Sequence, residues 1–191
     1  MEVFKAIENR FSCRSYNGKK VSENNLKRIL DAGIKAPNAG NLQCWRFFII
    51  NTEEKKEGLC KSALNQRWMM QAPVFVVVCG DLTNEKRFYK KKGEDYLMQD
   101  CAAAIENMLL SATALGINSC WVGAFDDNAA KRVLKLPDHI IPYAIITLGY
   151  SDEKAGKKKR HALDSVVYFN EFDNKEDEKR LFPLVKHFGK K

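Results

Sequence analysis

The stretch YLMQDCAAAIENMLLSATALGINSCWV, residues 96–122, decides the fold class. Leu97, Ala104, Met108 and Leu115 recur at helical intervals, which predicts one long helix from about Tyr96 to Leu115. Gly116 is the residue type that ends helices, because it enters the left-handed region without steric cost. The alanine-rich middle allows another helix to approach closely, and Met108 and Ala112 are expected to help hold two copies of the chain together. Directly after the glycine, Asn118 to Val122 reads as a short strand leading into Gly123. A long helix followed at once by a buried strand belongs to a layered domain, and the flanking segments set the number of layers.

Toward the N-terminus, Val74 to Cys79 is apolar without polar alternation, and Trp45 to Ile50 is a nearly continuous aromatic and β-branched run. Both read as strands covered on two faces. Thr52 is placed to cap a charged helix reaching about Leu64. Ser22 is placed to cap another, which carries Leu26, Ile29, Leu30 and Gly33 inward and is ended by Pro37 and Gly40. Val3 to Asn9 forms a short helix. Toward the C-terminus, Asp126 or Asp127 caps a helix that stops before Pro137, and Pro142 to Leu148 is a fourth strand. Residues 151–160 read as a lysine-rich loop, followed by an acidic helix-like stretch and a basic tail from about Phe182 to Lys191. Thr83 to Tyr96 is short and lysine-rich, so no large lid is expected there. Helices between short buried strands predict a three-layer sandwich, and the periodicity leaves parallel and antiparallel order open.

The chain has 191 residues, of which 45% are hydrophobic, enough for one core and one domain. Lys and Arg number 32 against 24 Asp and Glu, a net +8 that attracts anions. Basic residues are not interleaved with exposed aromatics or set along a helix, which disfavours nucleic acid. No apolar stretch approaches the roughly 18 residues of a membrane span and no basic-then-apolar leader begins the chain, so a cytoplasmic protein without membrane contact is expected. The six cysteines form no CxxC motif and read as reduced core thiols. His139, His161 and His187 lack partners at ligand spacing, so no metal site is expected. GxGxxG, GxxxxGK[ST], HExxH and GxSxG are all missing, which removes support for self-contained nucleotide loops, zincins and serine hydrolases.

Three segments carry candidate chemistry. In an extended chain Arg10, Ser12 and Arg14 point to one side and offer two forked cations around a hydroxyl, a set suited to a phosphomonoester; the same pattern also occurs as a solvated turn. Lys157-Lys158-Lys159-Arg160 is a second basic cluster. Ala36-Pro37-Asn38-Ala39-Gly40-Asn41-Leu42-Gln43 joins a helix to a strand and carries three amides, which suit a polyol or the donor and acceptor edge of a neutral heterocycle.

In this order along residues 3–170, these segments resemble the nitroreductase family of flavoproteins. Arg10-Phe11-Ser12-Cys13-Arg14 resembles the family's RxSxR phosphate motif. Ala36 to Trp45 resembles its AP-S-x-x-N-x-QPW segment, with Asn38 in place of the usual Ser and Cys44 in place of the usual Pro. Asn65 resembles the asparagine that meets the flavin ring, Trp121 to Phe125 the strand end against flavin N5, and Lys158 with Arg160 the late basic pair that completes the phosphate site.

The resemblance implies an α+β fold, a three-layer α/β/α sandwich assembled as an intertwined homodimer. Residues 1–170 would form a single FMN-binding domain and residues 171–191 an extension packing on the partner subunit. FMN would be held by Arg10, Ser12, Arg14, Pro37, Asn38, Ala39, Asn41, Gln43, Asn65, Val122, Gly123, Lys158 and Arg160, with the Pro37 to Asn41 loop coming from the other subunit. No side chain is expected as general acid: flavin N5 carries hydride from NADH or NADPH to a small acceptor such as a nitroaromatic or a quinone, by ping-pong kinetics. Another flavoenzyme chemistry on the same scaffold, such as reductive dehalogenation or enone reduction, is the alternative implied by the resemblance.

Overall fold

Residue 76 of the chain sits where a side chain has nowhere to go but into protein, and so do its neighbours on both sides. Val74 to Asp81 (β2) is buried along nearly its whole length, and by the two-residue period of a strand its side chains serve two separate cores. Val74, Val76 and Val78 enter a core with Ile29, Leu97, Ile105, Met108 and Ala112. Phe75, Val77 and Cys79 enter another with Leu59, Ala63, Met69 and Ala130. Helices therefore cover both faces of one sheet, and the three-layer expectation is borne out. The computed structural model describes residues 1–156 and 158–174.

The sheet holds β1 (Trp45–Ile50), β2, β3 (Asn118–Val122) and β4 (Ile140–Gly149) in the order β1-β2-β4-β3, with every pairing antiparallel. This settles the strand direction that periodicity left open. Pro142 lies in the central strand β4, where a missing N–H is normally costly. It is tolerated because the β2–β4 register shifts at Val78/Cys79, and because β3 pairs only from Ile145 onward. β1 departs from the expected burial. It is the sheet's edge, Arg46 and Ile49 are exposed within the chain, and its apolar run is covered fully on neither face.

One helical layer comprises α1 (Val3–Asn9), α2 (Glu23–Gly33), α4 (Leu82–Tyr89) and α5 (Gly93–Ala114); the other comprises α3 (Glu53–Ser62) and α6 (Asp127–Leu134). The Ser22 and Asp126 side chains cap α2 and α6 by accepting from Asn25 N–H and Ala129 N–H. Gly33 lets α2 rest on α5, since an added Cβ would lie 2.8 Å from Met108 Cε. Met108 and Ala112 are thus fully buried in the chain's own core. The expectation that they hold a dimer is wrong, because the same apolar stripe was already used by α2. The short lysine-rich region that begins at Thr83 is helical: Asp81 caps it by accepting from Thr83 N–H, and a turn of 3-10 helix (Lys90–Lys92) links it to α5.

The chain divides into two compact units, Met1–Ala155 and Gly156–Lys191. In the second, a 3-10 turn spans Leu163–Ser165 and the Tyr168 and Phe172 rings stack 4.9 Å apart. The acidic stretch beyond residue 174 and the basic tail with His187 lie outside the described residues. All six cysteines are buried free thiols. No described helix is long and apolar enough to cross a membrane.

Candidate functional site

The N-terminal basic motif is drawn onto the sheet. Ser12 forms a parallel bridge to Ser119, and Cys13 N–H donates to Ser119 O at 3.0 Å, so the motif runs along the outer edge of β3. The strand period then sorts its side chains: Cys13 is buried while Ser12 and Arg14 stay exposed. Arg10, Ser12 and Arg14 all act on one neighbour, Cys120. Burial pushes that thiol up, and Arg14, the Ser12 hydroxyl and Arg10 pull the other way.

Side chains far away in sequence hold this motif. The Glu153 carboxylate accepts from Arg14 N–H at 3.2 Å and from the Cys13 thiol at 3.5 Å. The Arg14 guanidinium lies 5.8 Å from the centroid of the Trp68 ring, and Arg10 Nε is 3.9 Å from Glu106 Oε1 on α5. Tyr16 locks the far end: its hydroxyl pairs with Thr147 Oγ1 at 2.7 Å and donates to Cys13 O at 3.0 Å, while its N–H donates to Gln71 Oε1 at 3.0 Å. Burial pushes the Tyr16 phenol far up, so it remains a neutral strut.

Trp68 belongs to the 3-10 turn Arg67–Gln71, and Asn65 stands just ahead of it. Leu64 and Asn65 both adopt left-handed backbone, at φ 56° and 54°. Non-glycine residues of this kind cost about 1–3 kcal/mol each and collect at ligand sites. Asp126 N–H donates to Ser62 O at 2.9 Å, which ties the end of α3 to the loop that leaves Gly123. The Asn65 turn is thereby linked on one side to the segment that follows Gly123 and on the other, through Trp68, to Arg14. Gly123 is instructive there. A Cβ would meet nothing closer than Trp121 Nε1 at 3.6 Å, whereas at Gly149 it would lie 2.8 Å from both Pro73 and Tyr16. The fold requires glycine at 149 and leaves 123 open to close approach by something else.

The amide loop lies at the opposite edge of the sheet. It leads into β1, which is four strand spacings from residues 10–16, roughly 19 Å. Asn38 Oδ1 accepts from Gln43 N–H at 2.9 Å, and Gln43 Nε2 donates to Asn41 Oδ1 at 3.3 Å. Gly40, Asn41 and Gln43 are all left-handed, at φ 55°, 56° and 51°. Both oxygens of Asp100 accept from Ala39 N–H, at 3.0 and 3.1 Å. Asn41 and Gln43 remain exposed, as does Pro37. One chain therefore does not bring the loop to the basic rim.

The nitroreductase-family profile matches residues 7–66 and 59–150. A chain from Archaeoglobus fulgidus, provisionally named NADH dehydrogenase/NAD(P)H nitroreductase, is 34% identical over 158 residues, covering 80% of this chain and 88% of its own length. The chain belongs to the nitroreductase family. A Bacillus subtilis protein named FMN reductase [NAD(P)H] is 25% identical, covering 92% of this chain and 76% of its own. Among solved structures, a nitroreductase family protein from Clostridium difficile superposes with a TM-score of 0.79 at 29% identity, covering 90% of this chain and 99% of that one.

Within this nitroreductase-family chain, Lys158 and Arg160 belong to the second unit, where Arg160 Nη1 donates to Lys159 O at 2.9 Å. Lys157 lies outside the described residues. Trp68, Glu153 and Asp100 escaped the sequence reading. Arg14 and Glu153 are 139 residues apart, and Ala39 and Asp100 are 61 apart. No local pattern connects such pairs. A lone acid in the middle of α5, on a face otherwise apolar, is the one signal that pointed at Asp100.

Proposed function

We propose that the chain is an FMN-dependent oxidoreductase that takes hydride from NADH or NADPH and passes electrons to a small electrophilic acceptor such as a nitroaromatic or a quinone. The observation that carries this reading is the β3 rim. It lays Ser12 against Ser119 of β3, with Ser12 and Arg14 exposed, along a strand that leads into a glycine the fold does not need. Such a rim fits a flat ligand with one terminal phosphate. The name of the Bacillus subtilis relative supports the same cofactor and donor.

In this reading Arg10, Ser12 and Arg14 hold the phosphate by charge-assisted hydrogen bonds. Asn65 and the backbone of Val122 and Gly123 meet the ring. Pro37, Asn38, Ala39, Asn41 and Gln43 sit at the other sheet edge, so the amide loop of a second copy completes the site and the working form is a homodimer. FMN, when bound, supplies the hydride chemistry at a face shared by donor and acceptor. The protein's own task is to bind, to orient and to place positive charge beside the ring. Trp121, partly exposed beside Gly123, offers an apolar surface at the mouth.

Acid release of the bound cofactor followed by chromatography tests the assignment, with FMN expected. Recovery of FAD, or of no flavin after reconstitution, overturns it. Double-reciprocal plots of initial rate against NADPH at several acceptor concentrations should be parallel, as a shared face demands, and intersecting lines would reject that sharing.

A further inference from the structure

Glu85 is completely buried on α4, and neither carboxylate oxygen has a hydrogen-bond partner among the described residues. A buried carboxylate without a partner is costly, so such a group is neutral or does a specific task. The titratable groups around it come from every element packed there: the Cys44 thiol ahead of β1, Asp100 and Cys101 of α5, and Tyr143 of β4. The Tyr143 hydroxyl is likewise buried without a partner. Asp100 and Cys44 bracket the amide loop. Asp100 receives Ala39 N–H at its start, and Cys44 closes it, with Sγ 3.6 Å from Leu42 O. From α4, Tyr89 leans over the same loop, since a Cβ on Gly40 would collide with its hydroxyl.

We propose that Asp100 and Glu85 are a positioning pair that sets the conformation of residues 38–44 and, through it, how tightly the protein holds flavin. The inference rests on the FMN reading proposed above. Asp100 works as the acceptor that keeps Ala39 N–H, and with it the left-handed residues Gly40, Asn41 and Gln43, in place. Glu85 works by holding its proton more tightly than a solvated carboxyl does: desolvation and then the Asp100 charge push it above the usual range. When the loop lifts, water reaches Cys44 and Asp100 and behind them Glu85, which then ionises more easily. The ordered loop therefore holds a proton that the lifted loop gives up, and rising pH favours lifting. A second negative charge beside Asp100 then weakens the acceptor's hold further.

Hydrogen exchange of residues 36–44, corrected for intrinsic rate, reads the loop in the full-length protein whether or not flavin binds, and FMN titration of the apoprotein reads the consequence. In the wild type, protection of the loop and FMN affinity should each fall as pH rises above the ordinary carboxyl range, by about tenfold for one unit of linkage. Glu85→Gln should flatten both profiles to within about twofold. Asp100→Asn, which exchanges a charge-assisted bond for a neutral one, should lower both by about fivefold to tenfold at every pH. Should Glu85→Gln fail to fold, the wild-type loop is compared with core amides of β2: a purely structural acid makes both lose protection together with pH through global unfolding, and only the proposed pair makes the loop lose it alone. Loop protection indifferent to pH and to both substitutions overturns the proposal. FMN binding equally tight and pH-independent in all three proteins overturns it and leaves the FMN reading intact. Expected loop behaviour with no FMN bound refutes the flavin reading and keeps the pair as a clamp on the loop.

Discussion

The β3 rim and the loop before β1 are both candidate ligand surfaces, and they are held in opposite ways. The rim is fastened to the sheet: Ser12 bridges Ser119 of β3, Cys13 N–H donates to Ser119 O, and Gln71, Thr147 and Glu153 pin the segment from distant parts of the chain. The loop is held by its own amides and by one buried carboxylate on α5. Backbone pairing over a packed core survives the loss of any single side chain. A loop with three left-handed residues depends on the few bonds that stabilise them. The rim is thus rigid and preorganised, and the loop is conditional.

The sharpest test of a preorganised rim removes its charge and keeps its scaffold. Arg14→Ala should lower FMN affinity about ten- to a hundred-fold, the worth of a charge-assisted contact of roughly 1.5–3 kcal/mol, while the melting temperature of the apoprotein barely changes. Fluorescence titration and calorimetry would show it, and wild-type affinity would remove Arg14 from the site. Next in size is the contrast between two glycines. Gly149→Ala should cost about 1–3 kcal/mol of stability through overpacking against Tyr16 and Pro73. Gly123→Ala should leave denaturant unfolding almost unchanged and weaken flavin binding. A Gly123→Ala protein that unfolds as readily as Gly149→Ala would mean that the fold, and not a ligand, demands this glycine.

The loop should yield to a smaller change. Asn38→Ala removes the acceptor of Gln43 N–H, worth about 1 kcal/mol, and FMN affinity should fall about fivefold without loss of secondary structure by circular dichroism. The smallest effect is on the pH dependence of folding. Desolvation raises Glu85 and Asp100 above their ordinary values of 4.5 and 3.8 in the folded state. Below those values both states are protonated. As pH rises past them the unfolded chain loses the protons first, so stability declines until the folded groups also ionise. Thermal unfolding should follow that slope, and Glu85→Gln should reduce it; a stability curve that climbs through this window would contradict the assignment of Glu85 as a group that holds its proton tightly.

Much of this molecule was legible before any coordinates. α1, β1 and β3 fall on the residues read from apolar periodicity, and Ser22, Asp126 and Gly116 do the capping and stopping expected of them. The misreadings share one cause. Trp45 to Ile50 has the composition of a strand buried on both faces and lies at an edge, and Met108 and Ala112 have the look of an interface and lie in a core. An apolar side chain shows that it leaves water and says nothing about which surface covers it.

The sequence by itself determined the elements, the two-residue alternation that turns Ser12 and Arg14 outward, and the ordered set of motifs that marks the family. These are local matters: dihedral preference, side-chain period and residue type act within a few positions. Only the tertiary structure decided that the strands run antiparallel, that the basic rim and the amide loop occupy opposite edges of one sheet, and that Glu153, Trp68 and Asp100 hold them. Those contacts join residues separated by tens of positions. Their partners are selected by how the layers pack, which no local pattern encodes.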